Sequence, residues 1–205
     1  MSEYDHEPIR GLPADLPPGE SIIWQGSPQW RGLAQQAFHI RAIAAYFAVL
    51  VIWALVSGSW LGIGLTLAGA TLGLLLMAGL SWLSARTTVY TITNKRVVLR
   101  FGMALPKCVN LPFAAIGAAS VAVRGGGEGD IPLEIADRHI IGYIQFWPHA
   151  RPWYINRPQP MLRSVPDAAH VAALLGAALH QAKPRAPQAS LRSEPVHRPI
   201  EALAA

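Results

Sequence analysis

Between Arg41 and Arg86 the chain runs for 44 residues without one acidic or basic side chain. A single helix across a bilayer takes about 20 apolar residues, so the run is long enough for two. Ser57-Gly58-Ser59 interrupts it, and Gly and Ser punctuate apolar helices. The pattern predicts a hairpin with one span from Phe38 to Val56 and a second from Trp60 to Ser84. Trp60 and Trp82 fall at opposite ends of the second span, where amphipathic rings favour the interface. Arg41 lies near the start of the first and can reach the headgroups along its aliphatic stem. A soluble hairpin would need a polar stripe on each helix, and these segments are apolar all round. A single long span with a re-entrant piece is the weaker alternative. Mid-span there is no Asp, Glu, Lys or Arg, which argues against a transporter or a proton path. Gly58-x-x-x-Gly62 and Gly69-x-x-x-Gly73 allow close helix approach, within the hairpin or against another membrane protein.

Two spans place both flanks on one side. The connecting turn has no Lys or Arg, whereas the flanks carry Arg31, Arg41, Arg86, Lys95, Arg96 and Arg100. The positive-inside rule then puts both termini in the cytoplasm of a multi-pass protein. The opening Glu3, Asp5 and Glu7 do not suit a secretory signal, which needs a basic start and an early apolar core. The totals fit partial membrane burial: 52% of the 205 residues are hydrophobic and 14% charged. The net charge of +5 is unevenly placed. Residues 1–41 hold three Arg against five acids, and residues 86–205 hold fourteen Lys or Arg against seven acids. Such a basic region suits anionic lipid or acidic protein surfaces. The single Cys108 excludes an internal disulfide framework.

After Arg86 the period changes from helical to alternating. Thr88–Thr93 and Arg96–Phe101 are rich in β-branched and aromatic residues and read as a hairpin around Asn94-Lys95. In the second strand Val97, Leu99 and Phe101 face a core, and Arg96, Val98 and Arg100 face solvent or a partner. Further strands are predicted at Met103–Leu111, Ile116–Arg124, Ile131–Ala136, His139–Trp147 and Pro160–Ser164. A helix follows from Pro166 and Asp167, with Val171, Leu174, Leu175, Ala178 and Leu179 in one apolar stripe. The fold class is therefore an α+β membrane protein. Residues 1–37 form a cytoplasmic N-terminal segment and 38–85 a two-span hairpin. Residues 86–182 form an antiparallel β half-barrel closed by a C-terminal helix, and 183–205 a disordered Pro/Ala-rich tail.

The stretch from Leu16 to Trp30 (LPPGESIIWQGSPQW), the apolar hairpin and Thr88–Gly102 together resemble the membrane-anchored, pleckstrin-homology-like proteins of bacteria. Glu3–Pro13, Phe101–Phe113 and Ser164–Leu175 narrow the resemblance to the photosynthetic-complex assembly proteins of purple bacteria. It covers most of residues 3–180. It implies a protein of the bacterial cytoplasmic membrane, inner or intracytoplasmic, that helps assemble the reaction centre and its core light-harvesting antenna. The partners it implies are reaction-centre and core-antenna membrane polypeptides, and it implies no catalytic residues.

Two surfaces are candidates for binding. Arg86, Lys95, Arg96, Arg100, Lys107 and Arg124 occur with no acid between residues 86 and 124. Near an anionic leaflet each such charge contributes about 1 kcal/mol. The plain alternative is a solvated basic face. The second is Phe146–Pro160, where Trp147, Arg151, Trp153, Tyr154 and Arg157 combine the residue types that dominate interfaces with prolines that pre-order the loop. The plain alternative there is aromatic packing at the base of the barrel. Self-association through either surface is open, and nucleic acid is a poor partner for a tethered domain without interleaved stacking residues. No cofactor is expected. Arg124–Asp130 (RGGGEGD) lacks the Gly-Lys-Ser/Thr of a phosphate loop and reads as a turn. The histidines lack metal-ligand spacing. His39, at the membrane edge, could ligate a chlorophyll magnesium but is more simply a polar interfacial residue. No nucleophile–base arrangement is recognisable, so an enzyme is not expected. The rival to an assembly factor is a generic bacterial membrane scaffold that binds anionic lipid or other membrane proteins.

Overall fold

The computed structural model describes residues 10–103, 105–136 and 143–182. Two helices make the apolar hairpin: α2 (Ile40–Val56) and α3 (Trp60–Thr87). Gly58 turns the chain at φ +69, where a Cβ would be strained. The Ser57 hydroxyl donates to the Trp53 carbonyl at 2.9 Å, and the Ser59 hydroxyl accepts from the Gly62 N–H at 3.1 Å. Both ends at the turn are thus capped by side chains. Further along, Gly69 and Gly73 face the Phe47 ring of α2, so this pair of small residues packs the hairpin on itself.

Helix α2 does not begin at Phe38. A seven-residue helix α1 (Trp30–Gln36) precedes it, and the two meet at a 55° bend. His39 occupies the corner in the left-handed region, φ +49, and is exposed. α1 lies against the last turns of α3. There the Ser81 hydroxyl donates to the Trp30 carbonyl at 2.7 Å, and Leu33, Ala37, Phe38 and Ala85 form a small core of their own. α3 is long and apolar enough to cross a membrane, and none of its apolar window is buried within the protein. α2, with 17 residues, meets the same length requirement only together with α1 across the bend.

The β region forms two antiparallel sheets. The first has the order β1 (Ile22–Gly26), β2 (Val89–Thr93), β3 (Arg96–Phe101), β4 (Lys107–Pro112). In the second, β7 (Gly129–Ile135) is central. The short strands β5 (Ile116–Ala119) and β6 (Ala122–Val123) pair along one edge and β8 (Met161–Val165) along the other. Inward side chains of both sheets, among them Ile92, Leu99, Ile131, Leu133 and Leu162, meet in one core. Helix α5 (Ala168–Ala182) contributes Val171, Leu175 and Ala178 to it, and Leu179 packs at its margin.

Three sequence expectations need correction. Residues 1–37 are not a separate segment, because β1 lies within them and pairs with β2 along Trp24↔Ile92, Gln25↔Thr91 and Gly26↔Tyr90. Nor is the outer face of β3 open. Val98 is fully buried there, opposite Thr91. The Gln25 amide donates to the Thr91 hydroxyl at 2.9 Å and to the Arg10 carbonyl at 2.8 Å, and Gly11 lies directly against Val89. The N-terminal segment therefore covers a face whose apolar residues would otherwise meet water. Finally, the strand expected at His139–Trp147 is a helical turn, α4 (Tyr143–Phe146), over its described part, and residues 139–142 lie outside the described residues. The expected tail 183–205 also lies outside them.

Removing residues 1–27 strips the pairing edge of β2 and uncovers Val89, Thr91 and Val98. An unpaired edge of this kind is an aggregation site. The truncated chain is expected to lose the monodisperse peak of the full chain in size-exclusion chromatography in detergent. An unchanged profile would show that β1 is dispensable.

Candidate functional site

The strand register sorts the candidate basic residues by height. β2 starts at the end of α3 and runs away from it, so the β2–β3 turn with Lys95 and Arg96 is the far end of the sheet. β3 returns, which brings Arg100 opposite Val89 and Phe101 opposite Lys107. Arg86, Arg100 and Lys107 thus occupy the end nearest the helices, together with the exposed apolar residues Met103 and Leu105 of the β3–β4 connection. The far pair is partly neutralised, since Arg96 Nε lies 2.8 Å from Glu20 Oε1. Arg124 sits at the β6–β7 turn and is ion-paired with Asp130. Its neighbours Gly126 and Gly127 adopt positive φ, and RGGGEGD is a tight turn in which the Arg124 N–H donates to the Glu128 carbonyl at 2.7 Å. The six residues do not form one patch. A contiguous run in sequence folds into a hairpin whose ends are about 15 Å apart at 3.3 Å per residue.

The aromatic loop also divides. Phe146, His149 and Ala150 are buried in the core. Trp147 is half exposed and meets Phe38 edge-on, ring centroids 5.4 Å apart, which ties this loop to the foot of α2. Arg151 lies over the Tyr154 ring at 4.3 Å and donates to the Gln159 side-chain oxygen at 2.9 Å. Trp153 is 93% exposed, and Ile155 and Arg157 are exposed beside it. Of the five expected loop residues, Trp153 and Arg157 are presented outward, Trp147 and Tyr154 are partly held, and Arg151 braces the loop from within.

A buried polar chain, not visible in the sequence, joins the helices to both sheets. The Arg163 N–H donates to the Tyr90 oxygen at 3.1 Å, so the Tyr90 proton goes to His149 Nδ1 at 2.7 Å. The Thr88 hydroxyl donates to the Ser84 carbonyl at 2.7 Å, so His149 Nε2, 3.1 Å from Thr88 Oγ1, carries the imidazole proton. This order satisfies both nitrogens of a neutral ring and assigns the Nε2–H tautomer. Burial first, and the Arg163 charge second, lower the His149 pKa to about 3. Burial likewise raises the Tyr90 phenol, against the Arg163 N–H. The Arg163 guanidinium is itself buried and donates to the Pro148 carbonyl at 2.7 Å. Burial disfavours its charge, and Asp130 and Tyr90 oppose that effect. Asp130 in turn accepts the Ser164 N–H at 2.8 Å. Among the described residues no three His, Cys, Asp or Glu side chains converge as a metal site.

Two antiparallel sheets around one core, with a helix against it, make a pleckstrin-homology-like unit, carried here on an apolar helical hairpin. The chain belongs to the bacterial PH domain family, whose model matches residues 32–179. That match begins within α1, so the hairpin and the β unit fall in one family unit. The chain is 38% identical over 200 residues to an uncharacterised 23.7 kDa protein in the puhA 5′ region of Rhodobacter capsulatus, covering 91% of each. Among solved structures it is similar to a DUF1696-family protein with a pleckstrin-homology domain from Shewanella loihica PV-4. The identity is 15% and the TM-score 0.29, covering 44% of this chain and 69% of that one.

The polar chain generates two expectations. Tyr90→Phe leaves His149 Nδ1 and the Arg163 N–H without a partner in a dry site, at a cost of about 1–3 kcal/mol each. A clear drop in unfolding midpoint in detergent checks this. The second concerns pH. Below about pH 6.5 the unfolded chain takes up a proton at His149, while the folded chain does so only near pH 3. Stability therefore falls as pH falls through that window, by up to about 1.4 kcal/mol per pH unit. His149→Gln removes this slope, so the stability gap between wild type and variant should narrow from pH 7 to pH 5. Parallel pH profiles would contradict a buried neutral imidazole.

Proposed function

We propose that this protein is a non-enzymatic, membrane-anchored assembly factor of the PuhB type, acting on the photosynthetic reaction centre and its core light-harvesting complex. The membrane part of this reading rests on the unburied apolar surface of the hairpin. Val49, Ile52, Leu61, Leu65, Leu72 and Leu75 are all at least 60% exposed. At about 1.5–3 kcal/mol for each fully buried side chain, and with about two-thirds of each still exposed, these six alone hold roughly 6–12 kcal/mol of unrealised burial. A bilayer supplies it. α3 is 28 residues long, about 42 Å, which exceeds the roughly 30 Å of hydrocarbon and leaves its last turns in the headgroup layer. The β unit then lies on the cytoplasmic leaflet, with Arg86, Arg100, Lys107, Met103 and Leu105 at its membrane end. Both termini are cytoplasmic.

The single observation that carries the photosynthetic reading is the relative at 38% identity over nearly the whole chain, which is encoded in the 5′ region of the photosynthesis gene puhA. The outward residues Trp153, Ile155 and Arg157 give the β unit a surface for a subunit's cytoplasmic face. Reaction-centre and core-antenna polypeptides are the proposed partners. The factor holds them during assembly, without chemistry of its own.

Deleting the gene in its native host is expected to lower the near-infrared reaction-centre and core-antenna bands of isolated membranes several-fold, with restoration by the plasmid-borne gene. Trp153→Ala/Arg157→Ala should fail to restore them fully while still accumulating in membranes. Unchanged bands in the deletion strain would remove the assembly role. Strong salt-sensitive binding to anionic vesicles without co-purifying subunits would favour the generic scaffold instead.

A further inference from the structure

Where α1 meets the last turns of α3, a cleft of about 460 Å³ opens between Trp30, Arg31, Trp82, Ala85 and Arg86. Each arginine stacks on the indole beside it. The Arg31 guanidinium carbon lies 5.5 Å from the Trp30 ring centre, and that of Arg86 lies 5.2 Å from the Trp82 ring centre. A third guanidinium is near, since Arg10 Nη2 reaches the Arg86 carbonyl at 3.4 Å. Among the described residues no carboxylate stands within 4 Å of Arg31 or Arg86. The cleft is thus a shallow, open and cationic recess lined by two indole side chains.

Its height along the hairpin decides what it meets. Trp82 and Arg86 lie 22 and 26 residues beyond Trp60 on α3. At 1.5 Å per residue that is about 33 and 39 Å from the far end of the helix. The hydrocarbon layer is about 30 Å deep and the full bilayer about 40–45 Å, so the cleft opens at the level of the phosphates. Indole rings settle at this depth, and planar guanidinium groups bind phosphate oxygens in bidentate fashion.

We propose that this cleft is a binding site for the headgroup of one anionic glycerophospholipid. Arg31 and Arg86 hold the phosphodiester, and Trp30 and Trp82 line the glycerol and upper acyl region. The bend at His39 has a role here, because its 55° tilt lays α1 against the last turns of α3 and so forms the second side of the recess. The site differs from a diffuse basic surface in one respect: it retains a lipid through detergent extraction. The proposal rests on the membrane reading of the hairpin.

The test uses the full chain, purified in detergent and examined by native mass spectrometry with added phosphatidylglycerol or phosphatidylcholine. Wild type should retain one phosphatidylglycerol in preference to phosphatidylcholine. Arg31→Gln/Arg86→Gln should lower that retention about tenfold or more, the loss of two charge-assisted contacts. The charge-matched Lys95→Gln/Arg96→Gln, at the far end of the sheet, should not. Equal retention of both lipids, or wild-type retention by the double variant, overturns the site. So does full displacement by soluble glycerol phosphate at matched concentration, which would make it a small-phosphate site. Carbonate washing separates the two levels of the argument. A protein that stays in washed membranes but shows no lipid preference refutes the cleft alone, and one released by carbonate refutes the hairpin.

Discussion

The junction at Thr87–Thr88 is where helix becomes strand without any linker, and the buried chain Ser84–Thr88–His149–Tyr90–Arg163 fixes it. A free joint there would let the β unit swing about the end of α3. Instead Thr88 bonds backward to the helix and sideways to the core histidine, while Tyr90 reaches across to β8. The donor order leaves no spare proton and no orphaned nitrogen on the ring, so each bond requires its neighbours. The cost is a histidine kept neutral in a dry site. The gain is a domain whose orientation on its stalk is set by the same side chains that close its core.

That fixed orientation gives the charges their meaning. A basic stretch read along the chain is undifferentiated, because sequence distance carries no height. Once β2 leaves α3 and β3 returns, the register places Arg100 and Lys107 at the helix end and Lys95 and Arg96 at the other. Pairing then separates them again. Arg96 answers Glu20 and Arg124 answers Asp130, whereas Arg86 leans on an indole. A cation on an aromatic face keeps its outward N–H groups available to an anion, which a cation held by a carboxylate does not.

Much of this architecture was legible because its signals are local. The uncharged run, the Ser-Gly-Ser turn, the alternation of Val89–Phe101 and the stripe of α5 each need only a window of residues, and the helices and strands lie within a few residues of those windows. What was not legible depends on partners distant in sequence. β1 is five residues long and pairs with a strand more than sixty residues away. Its Ile22-Ile23-Trp24 run of strand-favouring residues was a usable signal, as was Glu20 in a chain rich in Arg. The kink at His39 had no such signal, because an apolar helix continuing through Phe38 looks the same as one broken there. Tyr90, His149 and Arg163 are single residues with no spacing rule, and only the fold brings them together.

The asymmetry of the hairpin follows from these constraints and connects them. α3 is 28 residues and α2 is 17, so two legs of unequal length must end on one surface. The longer leg projects beyond the shorter by about 16 Å at 1.5 Å per residue. α1 fills that step by tilting 55° from α2 and packing against the projecting turns, where Ser81, Ser84 and Ala85 are buried. Small residues at these positions allow the close approach, and larger ones would push α1 away. The step places the Trp30–Trp82 cleft beside the end of α3 rather than between the two apolar legs, and sets Thr88 beyond the end of the shorter leg, where β2 starts. A hairpin of equal legs would offer neither the cleft nor the stalk. The inequality of the helices, rather than the count of basic residues, is therefore what sets the β unit and the cleft beyond the end of the shorter leg.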